Sequence, residues 1–243
     1  ANIGDPDNLT FMIGASEKDK DAYADEKPWQ KVSVPAFYMA TACVTKSQYA
    51  LFDEQREPED DDFNRISPEP DCPMIDVNFH DGMCFALWLD DRYSLPSEVQ
   101  WEGAAWGGLD RKTHQDYVIG VPPYTKAFTS AEVNFDGNYP LQEPKSEYRR
   151  RTVPVRGGGF QPNEFGLWHM SGNVDEYTRS EWHESLQDAI KHKTSDSAHG
   201  SAEALRCVRG GSWVNVARGT RCSLRIRYGD RYITSGFRLS RTK

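Results

Sequence analysis

The chain has 243 residues, 37% of them hydrophobic and 12% aromatic, with seven Trp, which is apolar mass enough for a core built largely from rings. Its formal net charge of −8 argues against a general affinity for nucleic acid or anionic membranes, and no apolar run reaches the ~18 residues of a membrane span. The five cysteines (Cys43, Cys72, Cys84, Cys207, Cys222) follow no metal-ligand spacing, and an odd count leaves at least one thiol unpaired within the chain.

No Pro/Gly/Ser linker divides the sequence, so a single domain over residues 1–243 is expected, and the low mean hydropathy points to much loop. Asn8 to Gly14, NLTFMIG, reads as a short strand ending at Gly. Gln30 to Val44 continues in strand fashion, with Val32 and Val34 alternating with polar partners. Thr45 can cap a helix KSQYALFDEQ that sets Tyr49 and Phe52 a turn apart. Glu57 to Cys72 is acidic and proline-bearing, the composition of a solvated loop. It lacks the regular oxygen-ligand spacing of a calcium loop.

Asp81 to Asp91, DGMCFALWLDD, predicts an amphipathic helix capped by Asp81, with Cys84, Leu87, Trp88 and Asp91 along one side. Ser97-x-x-Gln100 has the form of a capping box for a helix through Trp106. Trp101, Ala104 and Ala105 sit at core spacing there, and Gly107-Gly108 stops it. Leu109 to Arg151 reads as loop. Phe165 to Met170 looks strand-like, Ser171 to Tyr177 reads as a turn, and Glu184 to Ser201 as a polar insert. Early helices, a loop-rich middle and late short strands imply an α+β fold. Neither a phosphate-binding glycine loop nor a nucleophile elbow is present.

The C-terminal stretch is the most unusual. Between Gly210-Gly211-Ser212-Trp213 and Gly236-Phe237-Arg238-Leu239 lie twenty-two residues, Val214 to Ser235. They include five arginines (Arg218, Arg221, Arg225, Arg227, Arg231) and no Lys, Glu, Gln, Met or Trp. Those five absent types supply 47 of the 243 residues, so roughly four would be expected by composition.

Eight stretches, in order, resemble one family. They are Phe11-Met-Ile-Gly14, then Pro35 to Tyr38 with Val44 to Tyr49, then Val77 to Asp81 with Trp88-Leu89, and Tyr93 to Glu102. Asn163 to Trp168, Ser171 to Tyr177, Arg209 to Trp213 and Gly236 to Arg238 complete the set. Together they resemble the sulfatase-modifying-factor type domain, whose founding member is the formylglycine-generating enzyme. The resemblance implies a loop-rich variant of the C-type lectin fold. It does not carry the catalysis. That enzyme holds copper with two cysteines shortly after its Gly-Gly-Ser, and counting from Ser212 these would fall at Asn215 and near Thr220. A soft Cu(I) site needs thiolates, so the chain is expected not to be an enzyme. A three-His iron site is no better supported, because His80, His114, His169, His183, His192 and His199 are scattered. The resemblance implies one surviving calcium turn, with Asn173 and Glu176 as side-chain ligands. The alternative is that these two merely hydrogen-bond the turn. At the family's second calcium site Asn134 matches, but Arg156 stands for the Asp. No cofactor is required on this reading, and Ca²⁺ is the one candidate.

Within the family, the closest resemblance is to the variable proteins of diversity-generating retroelements, such as the treponemal variable protein. Their ligand-contact codons are rewritten by adenine-specific mutagenesis and cannot become Lys, Glu, Gln, Met or Trp. That implies a ligand-binding set of Val214, Asn215, Val216, Gly219, Leu224, Ile226, Tyr228, Tyr232, Ile233 and Thr234. Gly229, Asp230 and Ser235 are marginal members, with Trp213 beneath and the arginines as fixed frame. A mixture of Tyr, aliphatics and small polar groups makes a serviceable contact surface. An ordinary strand would do the reverse: Leu224, Ile226 and Tyr228 would face the core, and Arg225 and Arg227 the water. The expectation is a monomeric receptor- or adhesin-like protein at a bacterial cell surface, anchored by lipid and binding a macromolecule other than nucleic acid. The alternatives are an oxygen-dependent oxidase, which a spatial pair such as Cys207 and Cys222 would revive, and a non-variable calcium-binding lectin-like module.

Overall fold

A computed structural model describes residues 1–3, 9–56, 58, 61–107, 128–142, 144–192 and 204–243. Its elements in order are β1 (Asn2–Ile3), β2 (Leu9–Ile13), β3 (Gln30–Val34), β4 (Phe37–Met39), α1 (Lys46–Ala50), α2 (Phe63–Ile66) and α3 (Phe79–Leu89). Then come β5 (Tyr93–Ser94), α4 (Glu98–Ala105), β6 (Asp175–Glu181), α5 (Leu186–Lys191), β7 (Arg206–Arg209), β8 (Ile226–Tyr228), β9 (Ser235–Phe237) and β10 (Ser240–Thr242). Among the described residues no helix is long and apolar enough to cross a membrane.

Three small sheets carry the architecture. One has the order β1-β4-β10-β5, one is the β2-β3 hairpin, and the third has the order β8-β7-β6-β9. In the third, β6 pairs antiparallel with β7 and parallel with β9, so the C-terminal strands close around a central β6. α4 sits between the hairpin and this sheet. Its Trp101, Ala104 and Ala105 are fully buried, and Gly103 lets the Phe11 ring lie where a side chain would be. The α+β expectation therefore holds, with large rings filling the core: Tyr49, Phe85 and Phe237 pack within 6.2 Å of one another.

Local capping explains where the helices start. Ser97 accepts from Gln100 N while Gln100 reaches back to Ser97 N, and Thr45 and Gln48 do the same for α1. Several boundaries differ from the sequence reading. α1 stops at Ala50 instead of running to Gln55. α3 starts at Phe79, with Asn78 as its cap. Asp81 is the reciprocal partner three residues in, not the cap. The predicted apolar side of α3 is also the wrong one. Phe79, Gly82, Met83, Phe85 and Ala86 face the core, whereas Leu87 and Trp88 are exposed. Four apolar residues in a row, Phe85 to Trp88, left the face ambiguous.

Phe165 to Met170 is not a strand, because Gly166 and His169 take positive φ values of 74° and 51° that break an extended run. Asp175 to Tyr177, read as turn, begins the central strand β6. The acidic loop holds the single-turn α2, and the polar insert holds α5. The start of the 109–151 loop and the end of the insert lie outside the described residues.

Candidate functional site

The C-terminal segment hangs on buried arginines. Arg209, on β7, is fully buried and sends its guanidinium under the segment. There it donates to the carbonyls of Cys222 and Ser223, both at 2.9 Å, to that of Leu224, and to the Glu102 carboxylate. Arg225 forms a two-point pair with Glu98, at 2.6 and 3.1 Å. Arg221 does the same with Glu26, whose Oε2 also accepts from the Ser223 hydroxyl at 2.7 Å. Arg238 grips Glu176 through Nε and a terminal nitrogen, both at 2.6 Å. Charges this deeply buried need partners at every face, and planar guanidinium–carboxylate geometry supplies them. The neighbouring Arg225 and Arg209 hold the Glu98 carboxyl below its usual range despite its burial.

The rest of the segment is mixed: some apolar residues face solvent, whereas Ile226, Tyr228 and Ile233 pack partly against the core, and Arg227, expected in the inward frame, is exposed because it alternates with Ile226 and Tyr228 in β8. Val214, Val216 and Tyr232 are 44%, 43% and 43% exposed. Ile226, Tyr228, Ile233, Thr234, Asn215 and Gly219 are half-buried, while Gly229 and Asp230 are exposed. The Tyr228 and Tyr232 rings lie 4.4 Å apart. Tyr232, Ile233 and Thr234 form one wall of an open cleft of about 660 Å³ whose other side is Asp61, Asp62, Asp76 and Arg231. Trp213 is buried below, its ring stacked on Tyr148 at 6.2 Å.

Two members of the expected set do not belong on the surface. Leu224 is only 6% exposed, because the turn that lets Arg209 reach its carbonyl folds its side chain inward. Ser235 is fully buried and donates its hydroxyl to Val77 O at 2.6 Å. Asn215 is partly committed to structure: its Oδ1 accepts from Ser212 N and Oγ, both at 2.7 Å, and so fixes the turn after Gly210-Gly211. That turn requires glycine. Both residues take positive φ, and a Cβ on Gly211 would strike the carbonyl of Gly219.

Sequence reasoning missed Asp175. It lies beneath the segment, 1% exposed, where three separate parts of the chain meet. The Tyr228 hydroxyl donates to its Oδ2 at 3.3 Å, the Ser212 and Thr234 side chains lie beside its carboxyl, and its backbone N–H donates to Thr234 O at 2.8 Å. Burial pushes its carboxyl up to about 7, against the pull of those three neighbours. Nothing in sequence marks it, since Asp is at home in the turn that this stretch resembles.

Neither metal site fits. Glu176 already receives Arg238 and the Trp101 indole N–H at 2.7 Å, with the Cys43 thiol at 3.1 Å, so a calcium ion would have to displace a guanidinium. The calcium role for Glu176 is therefore corrected to an ion pair. Asn173 Oδ1 accepts from Val153 N at 2.9 Å and Asn134 Nδ2 at 3.1 Å, and its Nδ2 donates to Val153 O, which ties two loops together. Arg156 lies elsewhere, on Thr41. Among the described residues no three His, Cys, Asp or Glu side chains are placed to hold a metal ion. Cys43, Cys207 and Cys222 are buried, and burial pushes the thiols of Cys43 and Cys207 well above their ordinary value. His169 is buried too, its ring lowered to about 4 chiefly by desolvation. Burial thus favours the neutral forms of Cys43, Cys207 and His169. Native protein should take up one equivalent of an alkylating thiol reagent, at exposed Cys84, and all five only after unfolding; mass spectrometry counts them.

Known proteins place the chain. The model of the sulfatase-modifying factor enzyme 1-like domain matches residues 6–243. The formylglycine-generating enzyme of Thermomonospora curvata is 28% identical over 198 residues, which cover 80% of this chain and 56% of that protein. The chain thus spans about half the length of the curated relatives it matches. PvdO from Pseudomonas aeruginosa superposes with a TM-score of 0.74 at 22% identity, covering 98% of this chain and 92% of that one. Treponema denticola variable protein 1 superposes at 0.67 and 19% identity, covering 98% and 93%. Both structures share the fold. On the family match along nearly its whole length, the chain belongs to the sulfatase-modifying factor enzyme 1-like domain family.

Proposed function

We propose that this chain is a non-catalytic binding protein. Its contact surface is the C-terminal face of Val214, Asn215, Val216, Gly219, Ile226, Tyr228, Tyr232, Ile233 and Thr234, diversified in the gene by a retroelement. One observation carries the reading, the burial of Arg221 and Arg225 beneath a segment whose Val214, Val216 and Tyr232 face solvent; β8 itself keeps ordinary strand burial, with Arg227 exposed and Ile226 and Tyr228 leaning on the core. Arg221 and Arg225 are 1% and 5% exposed, whereas Val214, Val216 and Tyr232 exceed 40%. An ordinary strand buries the aliphatics and wets the arginines. Here the ionic frame of Arg209, Arg221, Arg225 and Arg238 lies inward, so solvent-facing positions are free to change without unfolding the domain. The partner is a macromolecule read by Tyr and aliphatic contacts, and the setting is a bacterial cell surface reached through a lipid anchor on the mature protein.

The oxidase alternative is tested directly. The full chain, loaded with copper and supplied with oxygen and a thiol reductant, should form no aldehyde on a peptide carrying the sulfatase cysteine motif. Aldehyde formation would overturn the proposal.

The face should also tolerate change. Val214→Ser, Val216→Ser and Tyr232→Ser should each alter stability by less than about 1 kcal/mol, whereas Leu224→Ser, at a buried position, should cost about 2–4 kcal/mol. Urea unfolding distinguishes the two classes.

A further inference from the structure

A second cleft, away from Tyr232 and its neighbours, has a different chemistry. It measures about 440 Å³, and its lining includes four arginines, Arg65, Arg149, Arg150 and Arg151, and two carboxylates, Glu69 and Glu147. In a chain of net charge −8, residues 148–156, YRRRTVPVR, carry four arginines and no acid. Two of the wall arginines have their own counter-charges. Arg65 pairs with Asp62 at 2.7 Å, and Arg149 pairs with Glu147 at 3.2 Å while donating to Ser130 O at 2.7 Å. Among the described residues the other two have none. Arg150 lies over the Tyr148 ring at 5.5 Å, and the Arg151 guanidinium has no ion pair among the described residues.

The backbone holds these groups in place. Arg150 has φ +57°, a left-handed conformation unfavourable for a residue with a side chain. It persists because its surroundings pin both ends. Thr152 bonds Ile66 O through N and Oγ1 at 2.8 and 2.9 Å, Arg151 O accepts from Asn134 Nδ2 at 2.9 Å, and Arg149 is tied to Ser130. A backbone held this way presents the Arg150 and Arg151 side chains from a fixed base, and their forked donors match tetrahedral oxyanions.

We propose that this cleft binds a compact phosphate-type oxyanion, held by Arg150 and Arg151 with Arg149 assisting. The Glu147 carboxylate competes with that ligand for Arg149. The proposal is independent of the C-terminal face. Its ligand could arrive as a free phosphorylated small molecule or as a lipid headgroup, and the test separates these.

The full chain is titrated with inorganic pyrophosphate by calorimetry at low ionic strength, and sedimented in parallel with phosphatidate vesicles and with zwitterionic vesicles. Saturable one-to-one pyrophosphate binding is the expected result for a free anion, and phosphatidate-specific sedimentation for a headgroup. In either case Arg150→Ala and Arg151→Ala should each weaken binding by roughly tenfold, as loss of a charge-assisted hydrogen bond does. Glu147→Gln should strengthen it, and Arg92→Ala, at an arginine paired with Asp90 elsewhere, should leave it unchanged. The mutated arginines are exposed, so unchanged melting curves will show that the fold is intact. No saturable binding to either probe overturns the proposal. So does binding that survives the Arg150→Ala/Arg151→Ala pair, or that Glu147→Gln fails to strengthen.

Discussion

Arg209→Met should destabilise the domain by about 3–5 kcal/mol, more than any change on the outward face. The reasoning is one of unmet partners. The side chain satisfies three successive carbonyls, of Cys222, Ser223 and Leu224, and the buried Glu102 carboxylate, and it stands 3.8 Å from Glu98. Met fills much of the volume and meets none of these needs. A buried carboxylate then loses its counter-charge, and three carbonyls lose a donor in a place water cannot reach. For a chain of this size the melting temperature should fall by roughly 10 °C. Arg209→Lys keeps the charge but cannot span carbonyls and carboxylate together, so its loss should be intermediate. Hydrogen exchange adds a local readout: amides of residues 222–228 should lose protection before those of α4. Equal protection loss throughout would mean that Arg209 does not anchor this segment in particular.

Asp175→Asn should flatten the dependence of stability on pH between about 4 and 7. The native carboxyl is raised to about 7 by burial, whereas in the unfolded chain it titrates near its ordinary value of 3.8. Between those values the unfolded state has released a proton that the folded state retains. The group's favourable contribution is thus complete below about 4 and is lost as pH rises through about 7. The full difference is on the order of 4 kcal/mol. Asn cannot ionise, so above pH 7 the variant should gain on the native protein, and at pH 4 it should have no advantage. Because Tyr228, Ser212 and Thr234 all contact this carboxyl, its ionisation also bears on how the outward face is held. Chemical denaturation of both proteins at a series of pH values measures the difference directly. Parallel curves would place the ionisation of Asp175 elsewhere.

What was legible in the sequence follows from range. The capping boxes at Thr45 and Ser97 are contained in four residues each; the Ser97 box and the Thr45 cap are as read, and the reciprocal bond of Gln48 is added by the structure. Arg221 and Arg225 lie inward as expected, Arg227 does not, and the inward partners were invisible: Glu26 lies 195 residues from Arg221, and Glu98 lies 127 from Arg225. The face of α3 was misread because its apolar residues run on beyond one stripe, so periodicity could not say which side meets Phe237. Leu224 was misplaced for another reason. The excluded-residue pattern put it in the contact set, whereas strand alternation put it in the core, and the core is where it lies. The calcium ligands fell to a long-range fact as well, since no local pattern announces that Arg238 reaches Glu176. The Cys-free positions Asn215 and Thr220 were readable at once, and the structure adds that the remaining thiols of this region lie buried.

The central claim is that the outward positions of Val214 to Ser235 are a diversified surface on a fixed ionic frame, and the gene itself tests it most directly. The coding sequence from Arg209 onward should be compared with the DNA around it. The account predicts a near-copy beside a reverse transcriptase, differing from the gene only where the copy carries adenine. Those differences should fall on codons of the outward set and spare Arg209, Arg221, Arg225 and Arg238. Absence of such a copy, or differences that fall on the buried arginines, would contradict it.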